Sequence, residues 1–288
     1  MNDAAIEARD LRKCFGDLVA VDRLSFEVRP GEIFGLVGPD GAGKTTTMRM
    51  LAGILDPNEG AASVAGYDTR TQSDGVKEHI AYMSQRFGLY ADLTVAENIA
   101  FYADMYGVPR KGRAERMGEL LDFSNMRPFQ KRQAGQLSGG MKQKLQLVCA
   151  LIHTPKVLLL DEPTNGVDPV SRRDFWRILY RLLKQDVAIL VSTAYLDEAE
   201  RCHRVALLDK GGLLAQGTPT EVKRLMRGGV LAFRGPNARG MAKVLRACLP
   251  EASVNVFGAQ VHVAVEDTGQ AQAAALEAAA ARGLEAVE

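Results

Sequence analysis

The chain has 288 residues, with 36 Lys and Arg against 35 Asp and Glu, so its length suits one large domain plus a small one and its balanced charge gives no overall footprint for nucleic acid or an acidic lipid surface. Cys14, Cys149, Cys202 and Cys248 show no Cys-x-x-Cys pair and no His cluster, which excludes a disulfide framework or zinc site and reads as ordinary thiols in a reducing cytosol. The N-terminus lacks a signal-like charged and apolar pattern, and no window approaches the ~18 apolar residues of a membrane span, so a soluble chain that borrows any membrane role from a partner is expected.

In chain order, Ile6 to Phe15 and Leu24 to Val28 read as strands, joined by a turn at Gly16-Asp17 and closed by Pro30-Gly31. Phe15 fits two roles equally: an exposed ring to stack on adenine, or a core aromatic at a strand end. The apolar run 31–37 precedes Gly38-Pro39-Asp40-Gly41-Ala42-Gly43-Lys44-Thr45-Thr46, which fits Gly-x-x-x-x-Gly-Lys-Thr and leads into helical apolar spacing at Met48, Leu51, Ala52 and Leu55. Each residue type meets a need of triphosphate binding. Gly41 and Gly43 let the backbone wrap and aim N–H groups at phosphate oxygens. Lys44 supplies charge to the β- and γ-phosphates, the Thr45 hydroxyl is placed for magnesium, and the helix N-terminus favours the anion.

Short strands follow at Ser63 to Gly66 and Ile80 to Ser84, the second ending in Gln85. From 92 to 153 the pattern is an α-helical insertion, with helices near Val95–Tyr106, Arg113–Phe123 and Gly139–Ile152 separated by Pro109, Pro128 and Gly135. Ser138-Gly139-Gly140 opens the last of these and suits an anion, although such a run standing alone is more often a plain cap. Val157-Leu-Leu-Leu-Asp161-Glu162 reads as a strand buried on both faces that delivers two carboxylates to the ligand crevice of a parallel sheet. Asp161 suits magnesium and Glu162 an attacking water; without the phosphate loop, an acidic helix cap would be the better reading. Asn165-Gly-Val-Asp-Pro169 turns into a helix carrying Trp176, and Val187 to Ser192 is another buried strand.

The nucleotide-binding part is expected over 1–228, ending near Arg227-Gly228-Gly229, and a small α+β domain over 229–288. There Val230–Arg234, Gly240–Cys248, Ser253–Phe257, Gln260–Val265 and Thr268–Arg282 give β-α-β-β-α, the split βαβ order without its last strand. Glu285 to Glu288 is the expected start of that strand, and the missing partner suggests a chain continuing beyond 288, unless the alanine-rich helix packs well enough without it.

Taken together, the 38–45 loop, Gln85, Leu137-Ser-Gly-Gly-Met141 and Asp161-Glu162 resemble the motif set of an ABC-transporter ATPase over about residues 5–228. The implied fold is a P-loop α/β domain with an antiparallel β subdomain and the helical insertion. The resemblance implies that Phe15 stacks adenine, that 38–46 is the Walker A loop and that Gln85 senses magnesium and the membrane partner. It makes Ser138, Gly139 and Gly140 the signature that grips the γ-phosphate of an opposing subunit. Thr45, Gln85 and Asp161 then serve magnesium, Glu162 is the catalytic base assisted by Lys44 and Gln85, and Gly166-Val-Asp168 is the D-loop. The wording of 84–90, 93–98 and 197–200 is similar to ATPases of ABC-2 type exporters for drugs and other amphiphiles, and Asp40, where asparagine is usual, is similar to the first half of tandem cassettes. ATP and Mg2+, an ABC-2 type permease, a second cassette in tandem or as a homodimer, no nucleic acid, and a place on the cytoplasmic face of the plasma membrane are the implied partners and location.

One departure stands out: the switch histidine expected after Ser192-Thr193 is Ala194, whose methyl group neither donates a hydrogen bond nor carries charge. His153 and His203 read as ordinary histidines. Two rival functions remain open at this stage, a soluble ABC ATPase without a membrane partner and an ATP-binding regulatory module with weak turnover.

Overall fold

The computed structural model describes residues 4–85, 88–225, 229–235, 237–265 and 267–281. Arg86, Phe87, Arg227, Gly228, Arg282 and the expected strand at 285–288 therefore lie outside the described residues. The chain divides between Pro219 and Thr220; the boundary expected from the sequence was 228/229.

In the first unit, β1 (Ile6–Phe15) and β2 (Leu18–Val28) form a hairpin, followed by β3 (Ile33–Val37), α1 (Lys44–Leu51), β4 (Glu59–Val64), β5 (Tyr67–Asp68), α2 (Ser73–His79) and β6 (Ile80–Met83). The helical segment holds α3 (Val95–Met105), α4 (Arg113–Phe123) and α5 (Gly139–Leu151). Next come β7 (Val157–Asp161), α6 (Pro169–Leu182), β8 (Ala188–Thr193), α7 (Leu196–Ala199), β9 (Arg204–Asp209) and β10 (Gly212–Gly217), with α8 (Pro219–Arg224) at the division. The second unit holds β11 (Gly229–Arg234), α9 (Ala238–Cys248), β12 (Ser253–Phe257), β13 (Gln260–Val265) and α10 (Thr268–Ala280).

Two sheets build the first unit: a four-stranded antiparallel sheet ordered β2-β1-β4-β5, and a six-stranded sheet ordered β10-β9-β3-β8-β7-β6. In the larger sheet β9, β3, β8, β7 and β6 run parallel, with β10 antiparallel at one edge. Every residue of β3, β7 and β8 is buried, the signature of strands covered on both faces. Trp176 and Leu179 of α6 are fully buried, each worth roughly 1.5–3 kcal/mol over an exposed side chain.

Differences from the expected elements have local causes. β2 begins at Leu18 rather than Leu24, because Leu18 to Val21 pair with Phe15 to Lys13 across the turn while register shifts break the alternation that a sequence pattern needs. β4 lies at Glu59–Val64 rather than Ser63–Gly66. Its Glu-Gly-Ala-Ala start has little strand preference and is extended by pairing with β1.

The second unit pairs β11 and β12 each antiparallel to a central β13, the order of a split βαβ unit. Leu231, Phe233, Val261 and Val263 face Met241 and Leu245 of α9 and Ala271, Ala275 and Ala279 of α10 in its core. Alanines on α10 bring that helix close to the sheet at small volume.

Candidate functional site

The register of the large sheet assembles the site. Val37 pairs with Thr193, Asp161 with Ser192 and Met83 with Leu160, so the turns after β3, β6, β7 and β8 emerge along one edge, the carboxyl end where α/β ligand crevices form. That edge carries Gly38, Gln85, Glu162 and Ala194.

The 38–43 turn is shaped by glycine at two positions where a Cβ has no room. At Gly38 a Cβ would stand 2.4 Å from the Leu208 carbonyl oxygen, and at Gly43, with φ +94°, it would stand 2.4 Å from that of Ala20. Gly38 N–H donates to the Thr193 carbonyl at 3.2 Å, tying the loop to the end of β8. Helix α1 starts directly after Gly43 with no side-chain cap, leaving its first N–H groups to an anion.

Lys44 is only 4% exposed; its Nζ donates to the carbonyls of Gly38 (2.8 Å) and Pro39 (3.0 Å) and lies 3.3 Å from Glu162 Oε1. The ammonium is thus held at the mouth of the loop it serves. Asp161, 1% exposed, accepts at Oδ1 from Ser192 Oγ (2.6 Å) and Thr45 Oγ1 (3.1 Å). Tyr82 O–H reaches its other oxygen at 3.4 Å, and burial, with the nearby Asp161 charge second, pushes this phenol up to about 12. The hydroxyl of Thr45 and the carboxylate of Asp161, hydrogen-bonded at the foot of the phosphate loop, have the oxygen chemistry that a hard divalent cation such as magnesium takes.

Glu162 has φ +49°, a left-handed conformation unusual for a residue with a side chain. Its N–H donates to Ser192 Oγ at 2.9 Å, which holds the turn and lifts the carboxylate over the loop. Gln85 Nε2 donates to Glu162 Oε2 at 2.9 Å and Asn165 Nδ2 to the same oxygen at 3.3 Å. Gly88 and Tyr90 are pinned to α3. Buried Asn98 bonds both the N–H and the C=O of Tyr90, and α3 itself starts in a Thr94–Glu97 capping box.

The site opens into a cleft of about 680 Å³ walled by Phe15, Leu18, the 40–46 loop, Gln85, Glu162 and Lys210. Phe15 is 50% exposed with Lys13 Nζ 5.5 Å from its ring centroid, so of its two readings the structure favours the exposed face over the core. Ser138, Gly139 and Gly140 are not part of the cleft. Ser138 caps α5 by accepting from Met141 N–H, and Gly140 is packed so that a Cβ would meet Ser171 at 2.4 Å. His203 Nδ1 accepts from Ile33 N–H, and burial lowers the pKa of His153, which stacks on Tyr106. Neither histidine lines the cleft. Asn165 is the contributor to the Glu162 surroundings to which the sequence assigns no role, its signal being adjacency to the motifs alone; Tyr195, a candidate from the sequence to fill the gap at Ala194, reaches Asn165 instead.

Fold and cleft define a P-loop nucleotide-binding protein. The ABC transporter family profile matches residues 21–165. The probable multidrug ABC transporter ATP-binding protein YbhF of Escherichia coli (strain K12) is 48% identical over 251 residues, 86% of this chain and 43% of that protein. The Nod factor export ATP-binding protein I of Burkholderia pseudomallei (strain 1710b) is 40% identical over 220 residues, 76% of this chain and 72% of that protein. Among solved structures, an ATP-binding subunit of an ABC transporter superposes with a TM-score of 0.69 at 30% identity, over 76% of this chain and 92% of that one. The chain belongs to the ABC transporter ATP-binding family, whose cassettes bind ATP, and spans less than half the length of YbhF. Among the described residues no helix is long and apolar enough to cross a membrane.

Proposed function

We propose that this chain is the ATP-hydrolysing cassette of an ABC-2 type exporter for drugs or other amphiphiles, working with Mg2+ and a second cassette at the cytoplasmic face of a membrane permease. One observation carries the reading: the phosphate loop, Glu162 and Gln85 line one cleft, with Asp161 buried beside it against Thr45, whereas Ser138-Gly139-Gly140 stands apart from it. Residues suited to one triphosphate at two separate places in a chain call for two cassettes arranged head to tail, each completing the other's site. The names of the similar proteins, multidrug and Nod factor export, support export as the coupled process.

In this reading ATP enters with its base on Phe15 and its phosphates on the N–H groups of 40–46. Lys44 exchanges its Gly38 and Pro39 carbonyls for the β- and γ-phosphates. A magnesium ion, which Thr45 and Asp161 would hold, would supply charge neutralisation. Glu162 takes the proton of the attacking water as the P–O bond to the γ-phosphorus forms, and ADP leaves with the bridging oxygen. Ala194, which removes a fixed transition-state donor, favours the second reading of a weakly hydrolysing regulatory module.

Nucleotide titration of Lys44→Ala is expected to show at least about a tenfold loss of ATP affinity, equivalent to about 1.4 kcal/mol; affinity within threefold of the parent refutes the phosphate role of Lys44. Purification from membranes is expected to retain a polytopic permease. Salt-sensitive capture of RNA or DNA in its place would support an ABC ATPase that acts on nucleic acid instead.

A further inference from the structure

Tyr195 follows Ala194 and reaches back toward the base. Its O–H donates to Asn165 Oδ1 at 3.4 Å, and Nδ2 of the same amide donates to Glu162 Oε2 at 3.3 Å. The two contacts use opposite ends of one amide and favour the same sense. The phenol holds Oδ1 while the carboxylate takes the N–H end, so the amide is tied at both ends; without the phenol it keeps its sense but loses one of the two ties that fix its place.

Tyr195 is itself held by two further contacts. Its N–H donates to Thr193 Oγ1 at 3.0 Å, and the Arg172 guanidinium lies 4.7 Å over its ring. Arg172 is 3.6 Å from both Asp197 and Glu198. Glu198, 1% exposed, also accepts from Thr193 Oγ1 at 2.7 Å and from Thr164 Oγ1. The turn after β7, the start of α6 and the turn after β8 are thereby joined through one buried carboxylate and one cation. Lys44 and Gln85 already approach the Glu162 carboxylate from the cleft side, which leaves Asn165 as its contact toward Tyr195.

We propose that Tyr195 is a positioning residue for hydrolysis: its hydroxyl fixes the Asn165 amide so that Asn165 donates to Glu162 and holds the base over the attacking water. This rests on the hydrolytic reading above. The phenol reaches Asn165 and is not among the residues that line the cleft, so it orients the base and leaves the missing charge partner at Ala194 unreplaced.

The test is a double-mutant cycle on the full chain with steady-state ATPase and ATP titration. Tyr195→Phe keeps the ring over Arg172 and removes only the hydroxyl; kcat is expected to fall about five- to tenfold, with KM and ATP affinity within twofold of the parent. In an Asn165→Ala background the same change is expected to cost nothing further, since the hydroxyl acts through that amide. A Tyr195→Phe enzyme with parental kcat overturns the proposal, and so do losses that multiply in the double variant or a raised KM at unchanged kcat. A parent that binds ATP but turns none over overturns the hydrolytic reading and this inference with it; an active parent with a failed cycle overturns the inference alone.

Discussion

Glu162→Gln is expected to leave ATP bound and nearly unhydrolysed, with turnover lowered by about 10²–10⁴, the range a positioned general base supplies. The amide keeps the size and shape of the carboxylate but does not accept the proton of the attacking water. It also removes a negative charge 3.3 Å from the Lys44 ammonium, in a pair that is almost wholly buried. That charge repels an incoming polyphosphate and competes with it for the lysine, so the variant should bind ATP at least as tightly as the parent. Tighter binding without turnover favours two cassettes closed on trapped nucleotide. Gel filtration with ATP and magnesium should show the larger species in Glu162→Gln and not in Lys44→Ala, which separates closure from mere loss of activity. Parental ATPase rates in Glu162→Gln would remove Glu162 from the role of base.

The P-loop was legible because its chemistry is local. Gly38, Gly43, Lys44 and Thr45 sit within eight positions of one another, and two of the glycines are required by backbone contacts that leave no room for a Cβ. Asp161 and Glu162 were legible for a related reason, since an all-apolar run ending in two acids has few homes outside a parallel sheet. Tertiary pairing hid other parts. β4 takes strand form from β1 rather than from its own Glu-Gly-Ala-Ala composition, and β2 extends past the irregularity that interrupts its alternation. β9 and β10 continue the central sheet beyond the last apolar strand that was read, over Arg204–Asp209 and Gly212–Gly217. The surroundings of Glu162 were the least legible. Gln85, Asn165 and Tyr195 come from the turns after three different strands, and only the register of β6, β7 and β8 brings them to one edge.

Ala194→His is expected to raise the turnover of the isolated chain without tightening ATP binding. Thr193 pairs with Val37, and its carbonyl accepts from Gly38 N–H. Residue 194 therefore leaves the sheet beside the start of the phosphate loop, and it is exposed, so a larger side chain enters solvent rather than the core. An imidazole there would meet the charge that grows on the γ-phosphoryl oxygens as the bond to ADP lengthens. A contact made chiefly in the transition state raises kcat and leaves ground-state affinity alone. By analogy with a single oxyanion donor, the gain is about 10²–10³, or roughly 2.7–4 kcal/mol, and smaller where the ring is poorly oriented. In a homodimer both sites carry Ala194, so the parent should bind ATP normally and hydrolyse it slowly; a partner cassette with a histidine at the equivalent place would restore one site. Because Tyr195 acts on Glu162 through Asn165, its contribution and that of an introduced histidine should multiply. Steady-state assays at saturating ATP on parent and variant read the effect directly. Equal turnover numbers would place the slow step in closure of the two cassettes or release of product, not in chemistry at the γ-phosphate.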